Sequence, residues 1–456
     1  MGDSDKKNNT SNSVHNVAGA GLPGTSAKID ETLREEGIDP DRLSILHLGL
    51  PSNLLHYVFP PWLSRMLIGV VVWVFLVLLR LAGFEISELM QAGLSLVIGL
   101  VILQAACEAL IAATEKLAAR LHWNHYAAGT FAEILSTIPE LVVIVFIIPI
   151  SPMTAFVISL ITIYNNALVF SIYSFFLPRD KQGKFLMPTP ITEAGTQILI
   201  GGGAMGLILG LVMLTFSSLP HPKTGFVIID LIIISLILFT IFAVYLFKLV
   251  SHYAQEENEV RESLSMTEGD VEQRLELVYQ NVGSSKLTVI IGLFVIGIFG
   301  SVLGGEQVAV FAEIMLRDLG LNSILTALIL AGFAGMSEYV ILWKSHRKRE
   351  YGIALANAFG GITQVMFLVL PFALMCIAIY QGFINPAHPD LPLQFSLSNI
   401  FLLIFLFPTF YVLSALLEED HTLGILDATI MTGIFLLLIL LLVSYGADSG
   451  DVYLNK

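Results

Sequence analysis

The hydrophobic pattern of this chain is one of long uninterrupted apolar runs, with neither the 3.6-residue stripe of a surface helix nor the alternation of a half-buried strand. Met66–Leu79, Val142–Ile148 and Ile434–Val443 carry no charged residue, and many windows reach the roughly 20 residues needed to cross hydrocarbon. Breaks at Pro, Gly and charged clusters predict eleven transmembrane helices. They fall at about 63–81, 94–121, 128–149, 153–177, 194–217 and 225–250, then, beyond a charged stretch, at about 287–319, 323–343, 351–380, 397–417 and 423–445. The fold class this implies is an all-α membrane protein.

Shifting the sequence by 198 residues lays the second of these helices on the seventh and the next four on their counterparts. Apolar helices resemble one another at any offset, so the polar coincidences carry the inference. Glu108 falls on Glu306, Glu115 on Glu313, Glu140 on Glu338, Asn166 on Gln364 and Asn124 on Asn322, and one deletion brings Asp230 onto Asp427. The architecture is one extra helix plus two five-helix repeats. An odd number of spans forces the second repeat to enter the bilayer from the opposite side, so the repeats are inverted, an architecture whose ligand sites lie near midplane between them. The chain divides into a polar, partly disordered N-terminal segment (1–61), the extra helix (62–91), the first repeat (92–250), an acidic loop (251–286), the second repeat (287–446) and a short tail (447–456).

Composition agrees with this division. Of 456 residues 55% are hydrophobic and 13% charged, which makes the chain an integral membrane protein. A net charge of -14 argues against nucleic acid as a partner. Lys and Arg in short loops cluster at Lys116 and Arg120, at Arg179, Lys181 and Lys184, and at Lys344, Arg347, Lys348 and Arg349, on the face shared with the N-terminus. The positive-inside rule then places the N-terminus in the cytoplasm and the C-terminus outside or in a lumen, in a plasma, inner or vacuolar membrane alike. Cys107 and Cys376 lie inside apolar segments and define no disulfide framework. No phosphate-binding glycine loop is present, which disfavours an ATP-driven pump, and the absence of a paired nucleophile and base disfavours an enzyme.

Glu140 and Glu338 carry the candidate chemistry. A carboxylate at the bilayer centre costs about 2.5–3.5 kcal/mol on insertion scales, so a matched pair calls for a function. Pro139 interrupts the backbone hydrogen bonding beside Glu140, and Gly332 and Gly335 loosen the helix before Glu338. Ser136, Thr137 and Ser337 add hydroxyl oxygens, and Asn166 and Gln364, each 26 residues after its glutamate, bring amide oxygens from the following helix. An all-oxygen set suits hard cations such as Ca2+, and no Cys or His cluster offers a softer site. Two apposed carboxylates in low dielectric cannot both stay ionised without a cation, so protons and a divalent cation compete for one place; no further cofactor is called for. Glu108, Glu306 and Glu133 are candidates for a secondary proton or ion path, with a structural hydrogen bond or interfacial solvation as the plainer reading of each. Asp230 and Asp427 read as helix-start residues, and Gly202, Gly206 and Gly210 as a packing face.

From about 92 to 445 the chain resembles the Ca2+/H+ antiporter family of the cation/Ca2+ exchanger superfamily. The resemblance rests on Ala113-Thr-Glu-Lys-Leu-Ala118, Ser136–Leu141, Tyr245–His252, and the run from Ala334 to Glu338 through Lys344–Arg349 to Gly360, Gln364 and Pro371. It implies that Glu140 and Glu338 ligate the exchanged ion. The family usually has Gly-Asn four and three residues before each acid, whereas this chain has Ser136-Thr137 and Ala334-Gly335; a Gly-Ser pair further on is Thr162-Ile163 in one repeat and Gly360-Gly361 in the other. Ca2+/H+ antiport is the expected activity, with Na+/H+ exchange, Na+/Ca2+ exchange or a cation channel as alternatives.

Overall fold

The computed structural model describes residues 60–84, 86–121, 125–187, 191–219, 225–265, 286–335, 338–339, 342–343, 346–347, 351–386 and 393–446. Thirteen helices are present among them. In chain order they are α1 (Pro61–Leu81), α2 (Glu88–Leu121), α3 (His125–Ser136), α4 (Ile138–Ile147), α5 (Pro152–Tyr173), α6 (Thr196–Ser217), α7 (Ile228–Ser265), α8 (Leu287–Glu313), α9 (Ser323–Ala334), α10 (Tyr351–Gln364), α11 (Leu370–Ile379), α12 (Leu397–Glu418) and α13 (Ile425–Gly446). A π-helical turn, Val365–Val369, joins α10 to α11 into one continuous span.

Among the described residues nine helical stretches are long and apolar enough to cross a membrane. The two predicted spans missing from that count are the ones that carry Glu140 and Glu338. The first is broken into α3 and α4 at Thr137, and the second is represented by the short α9, which ends before Gly335. The protein is a multi-pass membrane protein whose outward faces carry exposed side chains such as Phe75, Phe247, Phe299 and Leu440, a surface suited to lipid rather than water.

Helix α7 departs from expectation. It continues to Ser265, into the stretch expected to be a loop from residue 251, because Ser251–Ser265 is rich in Glu, a good helix former, and has no Gly or Pro to stop it. The predicted N-terminal segment up to residue 59, most of the acidic loop and the tail from residue 447 lie outside the described residues.

The inverted repeat is visible in how loops pair. Strand β1 (Phe185–Leu186), before the fourth helix of the first repeat, pairs antiparallel with β4 (Thr422–Leu423), before the fifth helix of the second. Reciprocally, β2 (Gly225–Phe226), before the fifth helix of the first repeat, pairs with β3 (Leu393–Gln394), before the fourth of the second. Each pair joins loops an even number of crossings apart, as loops on one side of a membrane must be. The helix starts repeat as well: Asp230 Oδ2 accepts from the Val227 N–H at 3.2 Å, and Asp427 Oδ2 from the Gly424 N–H at 2.8 Å, so both aspartates cap orphan donors at matched positions.

Two helix pairs that cross between the repeats dominate the packing, α2 with α8 and α6 with α12. Glycines permit both. A methyl group at Gly99 would lie 2.9 Å from the Gly304 carbonyl, and one at Gly203 would lie 2.9 Å from the Phe407 Cα, so neither crossing has room for a side chain. Gly202, Gly206 and Gly210 do face helices, as expected for packing; Gly206 and Gly210 meet backbone of α12, and Gly202 meets Phe367. The extra helix α1 docks through Trp62 and Met66 against Ala105 and Ala109 of α2.

Candidate cation site

The break between α3 and α4 follows from local chemistry. Pro139 has no N–H for the carbonyl of Leu135, and the Ser136 and Thr137 hydroxyls both turn back onto the Glu133 carbonyl, at 2.6 and 3.1 Å. Glu140 lies in the first turn of α4, where the N-terminal end of the helix dipole favours a negative group. In the second repeat α9 ends at Ala334, its last carbonyls left for other donors: Asn165 Nδ2 donates to the Ala331 carbonyl at 3.2 Å and also to the Tyr339 hydroxyl. Asn357 Nδ2 donates to the Glu338 carbonyl at 3.2 Å, which fixes the backbone that carries the second acid.

Across the repeat interface the two breaks are answered by each other's amides. The Thr137 hydroxyl donates to Gln364 Oε1 at 2.8 Å. At the offset of 198 residues the matching pair is Gly335 with Asn166. Indeed, a side chain at Gly335 would begin 3.0 Å from Asn166 Oδ1. Gly335 has no hydroxyl to give, so the Asn166 amide, in a residue only 1% exposed, keeps both Oδ1 and Nδ2 without a hydrogen-bond partner. Glu140, 8% exposed, likewise leaves Oε2 unpartnered. Buried polar atoms are almost always paired, so two such orphans beside two helix breaks single this place out as the candidate site.

Beside Glu140 a mostly apolar cavity of about 50 Å³ is lined by Leu100, Leu103, Val143 and Ile144, with Gln104, Ser159 and Thr162 as its polar members. Glu338 is half-buried against Gly361, its Oε1 2.7 Å from where a side chain there would begin, and it lies within Coulombic reach of both Glu140 and Glu133. Among the described residues no three His, Cys, Asp or Glu side chains form a metal cluster, so a cation here depends on amide, hydroxyl and main-chain oxygens as well as the acids.

The structure thus brings Glu140, Glu338, Thr137, Gln364 and Asn166 to the two breaks, with Ser136 on the same turn as Thr137. Ser337 lies outside the described residues. Of the three acids assigned to a secondary path, Glu133 joins the site, and the other two stay apart from it. Glu108 accepts from Arg65 Nη2 at 2.9 and 2.8 Å and ties α1 to α2; Glu306 is exposed on α8. Asn165, Tyr339 and Asn357 are site-positioning residues that the sequence reading passed over. The 198-residue offset also held an overlooked signal: it aligns Thr137 with Gly335, and so foretells an amide without a partner.

Residues 289–444 match the sodium/calcium exchanger protein family. Among solved structures, an H+/Ca2+ exchanger called CAX superposes with a TM-score of 0.58 at 11% identity, over 84% of this chain and 89% of that one. The likeness to exchangers is one of sequence in the second repeat and of fold over most of the chain. YfkE is also similar, with a TM-score of 0.53 at 15% identity over 83% of this chain and 98% of that one. The sodium-calcium exchanger NCX_Mj follows with 0.46 at 13% identity over 77% and 98%. No curated protein sequence matches the chain.

Proposed function

We propose that this membrane transporter is a cation/proton antiporter that exchanges Ca2+ for H+ at Glu140 and Glu338. The observation that carries the reading is the pair of buried, unpartnered groups, Glu140 Oε2 and Asn166 Oδ1, set at helix breaks from opposite repeats. Oxygens with unspent lone pairs and no competing donor suit a hard cation. When the cation leaves, neighbouring carboxylates in low dielectric take up protons, and a divalent cation binds only after they depart. Inverted repeats that rock about this place expose it to one side and then the other, so competition becomes exchange. The similarity to CAX, an H+/Ca2+ exchanger, supports the same ion pair. Clustered Lys and Arg support a cytoplasmic N-terminus.

The test is flux in proteoliposomes. An imposed pH gradient should drive Ca2+ uptake by the full-length protein, and Glu140→Gln or Glu338→Gln should abolish it while the purified variants stay folded. Uptake driven by a Na+ gradient at equal pH would replace H+ by Na+ as the counter-ion, and cation flux with no counter-ion would make the protein a channel. Wild-type rates in both variants would sink the site.

A further inference from the structure

Glu133 has no acidic counterpart in the second repeat, where Ala331 stands at the matched position. Its side chain runs from α3 to α10 and occupies the space that any side chain at Gly360 would need, with Oε1 buried and without a hydrogen-bond partner. Glu338 does the same at Gly361. The two carboxylates thus occupy places that adjacent glycines of α10 leave open, within Coulombic reach of each other. Tyr245 of α7, hydrogen-bonded to Thr363, is within Coulombic reach of Glu133, and Glu338 is within reach of both Glu140 and Glu133. The unpartnered Glu140 and Asn166 atoms belong to the cation site proposed above.

We infer that Glu133 is a specificity-determining residue: as a third carboxylate near Glu338, it sets the preference of the site for divalent over monovalent cations. The inference rests on the cation-site reading above and extends it. Coulomb energy is proportional to cation charge, so a carboxylate close to the site that is ionised when the cation is bound attracts Ca2+ twice as strongly as it attracts Na+. The consequence is a scaling rule. Whatever factor the loss of Glu133 costs in Na+ affinity, the factor for Ca2+ is at least its square.

The experiment measures Ca2+ and Na+ affinity of the purified full-length protein by titration calorimetry, and exchange in proteoliposomes, at one pH where the wild type runs. Glu133→Gln removes the charge at nearly constant shape. Its Ca2+ affinity should fall about tenfold and its Na+ affinity about threefold. Gly360→Ala, which displaces the carboxylate without touching its charge, should lower Ca2+ affinity in the wild type and have no effect beside Glu133→Ala, where the space is free. Equal factors for the two ions, or unchanged Ca2+ affinity in a folded Glu133→Gln protein, would overturn the inference and leave the antiport reading intact. Should Glu133→Gln fail to fold, the Gly360→Ala comparison decides by the same ratio. A wild type that binds neither cation overturns both.

Discussion

Replacing Thr137 by valine removes one hydroxyl at almost constant shape, and the geometry sets the cost. That hydroxyl sits 2.8 Å from Gln364 Oε1, and the two side chains are 4% and 5% exposed, so water cannot take over the bond. A buried acceptor left unpaired costs about 1–3 kcal/mol. Thr137 also shares its hydroxyl hydrogen with the Glu133 carbonyl at 3.1 Å, which weakens each branch and places the expected loss at about 1–2 kcal/mol. Unfolding of the purified protein without transported cation isolates this bond from any change in ligand affinity. Thr137→Ser should stay near wild type. In a double-mutant cycle with Gln364→Met the coupling should reach at least about 0.5 kcal/mol, because the Met variant has no acceptor to orphan. If the two single effects add within about 0.3 kcal/mol, the repeats do not pin each other at this break, and the reasoning from helix break to shared site fails.

Further outcomes follow from the packing and the ion pairs. Gly203→Ala in α6 should destabilise by about 1–3 kcal/mol, since the new methyl would meet the Phe407 Cα at 2.9 Å and the Leu406 carbonyl at 3.2 Å; Gly201→Ala, with nothing within 4 Å, should be neutral or stabilise through helix propensity, and unfolding midpoints would compare them. Glu108→Gln should lower stability by roughly 1–2 kcal/mol through loss of the partly exposed Arg65 pair and retain exchange, whereas a folded but inactive variant would put Glu108 on the ion path. At the β1–β4 ribbon, hydrogen bonds from Lys184 and Thr422 pull the Asp420 carboxyl from 3.8 down to about 2. Its contribution is therefore complete above about pH 4 and lost as pH falls through 2, so local hydrogen exchange at Met187, bonded to the His421 carbonyl, should quicken over that interval and lose this dependence in Asp420→Asn.

The apolar runs determined the membrane class and the spans, because a helix in lipid must satisfy its backbone internally and needs only enough apolar length to cross. Polar residues recurring 198 positions apart determined the inverted repeat, and with it the two places, Glu140 and Glu338, where acids stand beside a loosened helix. Such features are local: Pro139 breaks its helix, and Asp230 and Asp427 cap theirs, whatever lies across the interface. Tertiary structure decided the rest, since it depends on which helix of one repeat approaches which helix of the other. Glu133 reaches Gly360 because α10 lies at the level of α3, and Glu108 pairs with Arg65 because α1 docks on α2. The unpaired Asn166 belongs to both levels, since the sequence contains the Thr137–Gly335 mismatch and only the packed interface makes it an oxygen with no partner.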